Sequence, residues 1–252
     1  MSGAKPFAST NPGAQLLAPA AGKPLARLHH DAFSQPGNSG GALVNADGRL
    51  VAVVTSGGEG RNEAIPATEI TKLKALSGPG HRVVSRATGE AYRKCGEAIE
   101  SAQATRQRLE PKNVAFITEH CIRTGNRQLL DLAGQAFGRQ HLIKDALVMF
   151  RWALDQDPNA INSMISIAIV LHLDGRYAEE VPYLRRLVSL LPSDLQVLRL
   201  GIQAGAWGGD KALMERSLEL LGKHHPKLAP LARDFIENNP TPPRRPSPRP
   251  NP

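Results

Sequence analysis

Arg127-Gln128-Leu129-Leu130-Asp131-Leu132-Ala133-Gly134-Gln135-Ala136-Phe137 opens the repetitive part of this chain. Downstream of it, Pro158, Pro192 and Pro226 fall 34 residues apart. That period is the length of one pair of packed helices, and stacking such pairs is how each of them buries its apolar side. Residues 127–237 therefore read as an all-α array, with units at 127–160, 161–194 and 195–228.

Within the first unit Leu130, Ala133, Gly134, Phe137, Ala146, Phe150, Ala153 and Pro158 resemble the tetratricopeptide-repeat family. Gly134 and Ala146 suit the close approach of two helices, and Phe150 fills the space beside them. The second unit keeps Ile167, Ala168, Leu171, Leu184, Leu187 and Pro192. It departs at Glu180, where a small residue is expected, and Pro182 is expected to distort its second helix. The third keeps Leu198, Leu218, Leu221 and Pro226, with a turn at Gly208-Gly209-Asp210. The resemblance implies a protein partner held in a concave groove. The matching positions are Gln128, Asp131, Gln135, Asn162, Ile165, Ile169, His172, Arg199 and Gln203. They are mixed in charge and specify no ligand class.

Upstream the pattern changes. Gln35-Pro36-Gly37-Asn38-Ser39-Gly40-Gly41 sets one serine among glycines. Glycines let backbone N–H groups converge on one point and leave the hydroxyl accessible. A strand is expected near 26–33. Others follow at Ala42–Val44 and Leu50–Thr55, joined by an Asn45-Ala46-Asp47-Gly48 turn, and at Ala64–Pro66. Thr68 is placed to open a helix through Leu76.

This segment, with His29-His30-Asp31 before it and Asp47-Gly48-Arg49-Leu50 after it, resembles the trypsin-like serine peptidases of the HtrA branch. The resemblance implies a nucleophile at Ser39, oxyanion donors at the N–H groups of Gly37 and Ser39, and a substrate-binding wall at Val54, Thr55 and Ser56. It covers 27–77, which is the C-terminal part of such a domain. The expected fold class is thus multidomain α+β: a partial trypsin-like β-barrel followed by tetratricopeptide-type helices.

A serine nucleophile needs a base, and the base needs an orienting acid. In this family both precede the serine. His29, His30 and Asp31 match strand positions instead. His120-Cys121 copies a dipeptide around the family's base, but it follows the serine and lies in a helix. His224-His225 reads as a helix terminus. The expectation is a serine endopeptidase whose N-terminal part is missing and which is inactive in this form. The alternative is a non-catalytic protein-interaction scaffold acting through its helices.

The remaining segments are a loose leader at 1–26, linker helices at 78–126 and a Pro/Arg tail at 238–252. In the linker, Gly89–Glu110 is expected as one helix with Tyr92, Cys95, Ile99 and Ala102 on its apolar side. Pro111 should end it, Asn113 cap the next, and Gly125 stop that one. Cys95 and Cys121 form no metal-ligand cluster and read as buried free thiols. The tail is expected to stay extended.

Composition narrows the classes. The 252 residues are 41% hydrophobic and 4% aromatic, so a core must be aliphatic. The net charge of +8 is scattered, without zinc-finger spacing or stacking aromatics, which argues against a nucleic-acid partner. No apolar run is long enough for a bilayer span, and 1–24 lacks a signal-peptide h-region. A periplasmic or secreted setting follows if a missing N-terminal part supplies the signal. No cofactor or metal is expected; the expected partners are a peptide or protein substrate and a protein on the helical repeats.

Overall fold

The computed structural model describes residues 15–17, 27–30, 32, 34–35, 37–56, 62–70, 73, 77–105 and 107–242. The chain divides into two compact units: Met1–Ala133 with Arg151–Ala160, and Gly134–Phe150 with Ile161–Pro252.

The first unit carries the strands β1 (Gln15–Leu17), β2 (Arg27–His30), β3 (Ala42–Val44), β4 (Leu50–Ser56) and β5 (Asn62–Pro66). All pair antiparallel, in the order β1-β2-β5-β4-β3. The expected turn is present. Asn45 Oδ1 accepts from the N–H groups of Asp47 (3.1 Å) and Arg49 (2.9 Å), and Gly48 takes a positive φ of 76°. β5 is central and almost wholly buried despite its polar start. Asn62 Nδ2 donates to the Ala32 carbonyl (2.9 Å), and Glu63 meets Arg127.

These strands correct the expected architecture. β1 and β3 stand at opposite ends of the strand order and are not neighbours, so the sheet is open. A barrel requires those edges to pair, and a partial trypsin-like barrel is therefore not the fold. The chain is mostly helical, with nine helices among the described residues beside this small antiparallel sheet. The leader is corrected as well, since Gln15–Leu17 pairs with Arg27–His29. Of the expected 68–76 helix, 68 is a turn and 69, 70 and 73 are helical; the other positions lie outside the described residues.

Helix α1 spans His81–Ala104, beginning eight residues before the expected Gly89. Gly89 costs this helix about 1 kcal/mol of propensity without ending it. Ala91, Cys95, Ile99 and Ala102 are buried, whereas Tyr92 remains 40% exposed. Pro111 starts helix α2 (Pro111–Thr124) rather than ending α1, because at the first helical position its missing N–H would have no partner anyway. Gly125, with φ 59°, stops α2 as expected. Cys95 and Cys121 are not free thiols: they form a disulfide between α1 and α2. Sequence spacing did not show that the two helices pack against each other.

Helices α3 (Arg127–Arg139) and α4 (Ile143–Gln156) pass from one unit into the other. Then follow α5 (Ile161–Asp174), α6 (Tyr177–Leu190), α7 (Leu195–Trp207), α8 (Lys211–His224) and α9 (Ala229–Asn238). The 34-residue interval is written into the backbone. Helices begin at Arg127, Ile161 and Leu195, and their partners at Ile143, Tyr177 and Lys211. The Leu142, Arg176 and Asp210 N–H groups reach back to the carbonyls of Phe137, Leu171 and Gly205 at 3.0, 2.9 and 2.8 Å. Beside each, a residue turns left-handed: His141, Gly175 and Gly209, with φ of 57°, 67° and 81°. This is the helix stop in which a left-handed residue lets the next N–H satisfy an orphan carbonyl.

Packing within the second unit follows from small residues. A methyl group on Gly134 would sit 2.5 Å from the Phe150 ring, so the expected close approach is present. Pro182 lies inside α6, which nevertheless runs unbroken from Tyr177 to Leu190.

Candidate interaction groove

The Ser39 loop is a set of turns pinned to β4. Gly37 and Gly40 take φ of 101° and 84°, which favours glycine at both. The Asn38 N–H donates to the Gln35 carbonyl (3.0 Å) and the Gly41 N–H to the Asn38 carbonyl (2.9 Å). The Gly40 N–H donates to the Val54 carbonyl (2.8 Å), and the Val54 N–H returns to Gly41 (2.9 Å). The Ser39 hydroxyl donates to the Thr55 carbonyl at 3.2 Å. Its proton is thus shared with a backbone oxygen, which cannot serve as a general base. Val54, Thr55 and Ser56 all lie on β4. The backbone there that the resemblance assigns to a bound peptide is occupied by the chain's own 39–41 loop. The Thr55 hydroxyl is itself donated to the Glu63 carbonyl (3.1 Å).

The expected partner-groove residues differ in exposure and in partners. In the first unit Gln128 is exposed, but Asp131 is buried and paired with Arg127 at 3.7 Å. In the second unit Gln135 is exposed, Ile165 is buried, and Asn162 and Ile169 are half-buried. His172 turns to Glu180, its Nδ1 lying 3.1 Å from the Glu180 carboxylate. The His172 ring also meets the Tyr177 ring edge-on at 5.0 Å.

Arg199 and Gln203 do come together. They border a groove of about 470 Å³ between α7 and α9. Its apolar lining includes Leu195 and Ile202 of α7, Leu221 of α8, Leu228, and Leu231 and Phe235 of α9. Leu231 is 63% exposed and Phe235 40%. Of the α9 residues only Ala229 is buried. The far end of α9 is fastened where Trp207 Nε1 donates to the Asn239 carbonyl (3.0 Å), with the Trp207 and Phe235 rings 6.1 Å apart. Sequence reading missed the α9 wall. Its signal was the helical spacing of Leu228, Leu231 and Phe235, which was absorbed into the end of the repeats.

Electrostatically the groove is one-signed. No carboxylate lines it, and Arg199 forms no ion pair among the described residues. Elsewhere in this unit Arg185 is hydrogen-bonded to Asp210 (2.6 Å), which holds that carboxyl below its ordinary range. Glu180 is the opposite case: burial pushes its carboxyl up, and the His172 hydrogen bond offsets only part of this.

Among the described residues no cluster of His, Cys, Asp or Glu could hold a metal ion, and no helix is long and apolar enough to cross a membrane. No family model matches the sequence, and no curated protein matches it. The trypsin-like and tetratricopeptide resemblances are therefore corrected: short motifs and a shared period carried them, and neither family claims the chain.

Proposed function

We propose that this chain is a non-catalytic protein-interaction module whose binding face is the groove between α7 and α9. The observation that carries this reading is an aliphatic and aromatic cleft, open to solvent, with an unpaired guanidinium at its border. Such a cleft suits an amphipathic segment that lays apolar anchors into it. Its occupant is a segment of another protein that combines apolar residues with carboxylates. Arg199 favours a carboxylate there, and no acidic lining residue competes for it. A second copy of this chain, at net charge +8, would bring like charge. The groove excludes water from the anchors, while Arg199 sets orientation.

Selection from a displayed library of random peptides against the full chain tests this. Enriched sequences should alternate apolar residues with Asp or Glu. Binding of the best peptide should weaken about tenfold or more in Arg199→Glu and in Phe235→Ser, as loss of a charge partner or an apolar anchor requires. Enrichment of basic sequences, or binding indifferent to both substitutions, would overturn the proposal.

A further inference from the structure

The Cys95–Cys121 disulfide lies within a seam between two helices that pack side by side but fully bury few large side chains. Over its 24 residues α1 buries only Ala91, Cys95, Ile99 and Ala102. None of the residues His81–Glu90 is buried, and Val83 is 73% exposed. On the other side α2 buries Ile117, His120, Cys121 and Thr124. The large side chains nearby, Tyr92 and Phe116, are 40% and 44% exposed. Two isoleucines and two alanines are the only fully buried aliphatic side chains of these two helices, with Ala98, Val114 and Ile122 half-buried, and the half-cystines are both 0% exposed. Aliphatic burial of that size does not by itself hold a long helix in place.

We infer that the α1–α2 pair is a redox clasp, closed by oxidation and released by reduction. Closure oxidises two thiols. A disulfide donor takes up their two electrons and two protons, and one S–S bond forms between Cys95 and Cys121. Release runs the other way. A thiolate of a dithiol reductant attacks one of the two sulfurs, the second thiol resolves the mixed disulfide, and the reductant leaves as a disulfide. Both sulfurs are shielded in the closed state, so exchange requires α1 to open first. The closed form belongs to an oxidising compartment.

Release extends beyond the seam. Tyr92 of α1 accepts a hydrogen bond from Asn126 Nδ2 (2.6 Å), and the same Asn126 side chain accepts from the Leu129 N–H (2.9 Å) at the start of α3. Opening the clasp removes one of the two side-chain hydrogen bonds of Asn126 at that cap, next to Arg127.

Hydrogen exchange read by mass spectrometry on the full chain tests the clasp. Oxidised protein, protein under a dithiol reductant, and a Cys95→Ala/Cys121→Ala variant are compared. Protection across 81–104 should fall about a hundredfold in the last two, the scale set by losing a cross-link over 26 residues. Protection in α7 and α8 should stay unchanged, which serves as the internal control. Unchanged protection at 81–104 would overturn the inference. So would a parallel loss in α7 and α8, which would make the bond a global folding requirement, or two free thiols in protein recovered from an oxidising compartment.

Discussion

The Arg127 guanidinium and the Glu63 carboxylate meet inside the first unit, joining the start of α3 to the central strand β5. Both side chains are almost fully buried, at 5% and 2% exposure. Asp131 (3.7 Å) and Asp157 (3.9 Å) stand around the same guanidinium. Removing this cation would take its charge away from three buried carboxylates. Arg127→Met should therefore lose about 3–5 kcal/mol in urea unfolding, far more than an exposed arginine would. A loss below ~1 kcal/mol would show that the carboxylates do not depend on it.

Gly134 faces Phe150 with no room for a methyl group. Gly134→Ala should cost about 1–3 kcal/mol through overpacking, despite the better helix propensity of alanine. Adding Phe150→Leu should return part of that loss. Additive losses in the double variant would mean that the two positions do not share space.

His141 occupies a left-handed helix stop where the two equivalent hairpins use Gly175 and Gly209. A β-carbon in that conformation costs roughly 1–2 kcal/mol. His141→Gly should raise stability by about 1 kcal/mol, measured as a higher urea midpoint. Equal or lower stability would count against the backbone argument.

Glu180 is fully buried, and its carboxyl is raised by that burial. A raised acid stabilises the fold in its protonated form. Its contribution is complete below the ordinary glutamate range and is lost as pH climbs through the native value. Glu180→Gln should thus match the parent near about pH 4 and exceed it near neutrality, flattening the pH–stability curve. A variant that is weaker at neutral pH than at acid pH would contradict the sign. That outcome would give more weight to the His172 contact than to desolvation.

Local chemistry was legible where each residue decides its own backbone. The Asn45–Gly48 turn, the Gly125 stop and the 34-residue spacing of the helix starts all follow from residues read singly or at fixed intervals. What depends on distant partners was not legible. The disulfide needed knowledge that α1 packs on α2. Asp131 read as a groove residue because its ion pair with Arg127 is a tertiary fact. The serine motif suggested a catalytic setting, but local glycine patterning specifies a turn, and the hydroxyl's partner comes from β4. Of the candidate groove, Arg199 and Gln203 were among the positions the repeat resemblance implied, whereas α9 was overlooked because helix spacing alone does not say which face stays uncovered.

The outer edge of β3 bears on how this protein behaves at high concentration. Ala42 and Val44 are exposed on a terminal strand of an open sheet, with Leu50 exposed beside them. Neither a lysine nor a proline interrupts Ala42–Val44, and those are the usual guards of a bare edge. In dilute buffer, molecules of charge +8 repel one another, which opposes the pairing of two such edges. That repulsion fades once ions shorten its reach to about 3 Å at molar salt. Light scattering should rise with ionic strength, so the protein should keep best in dilute, low-salt solution.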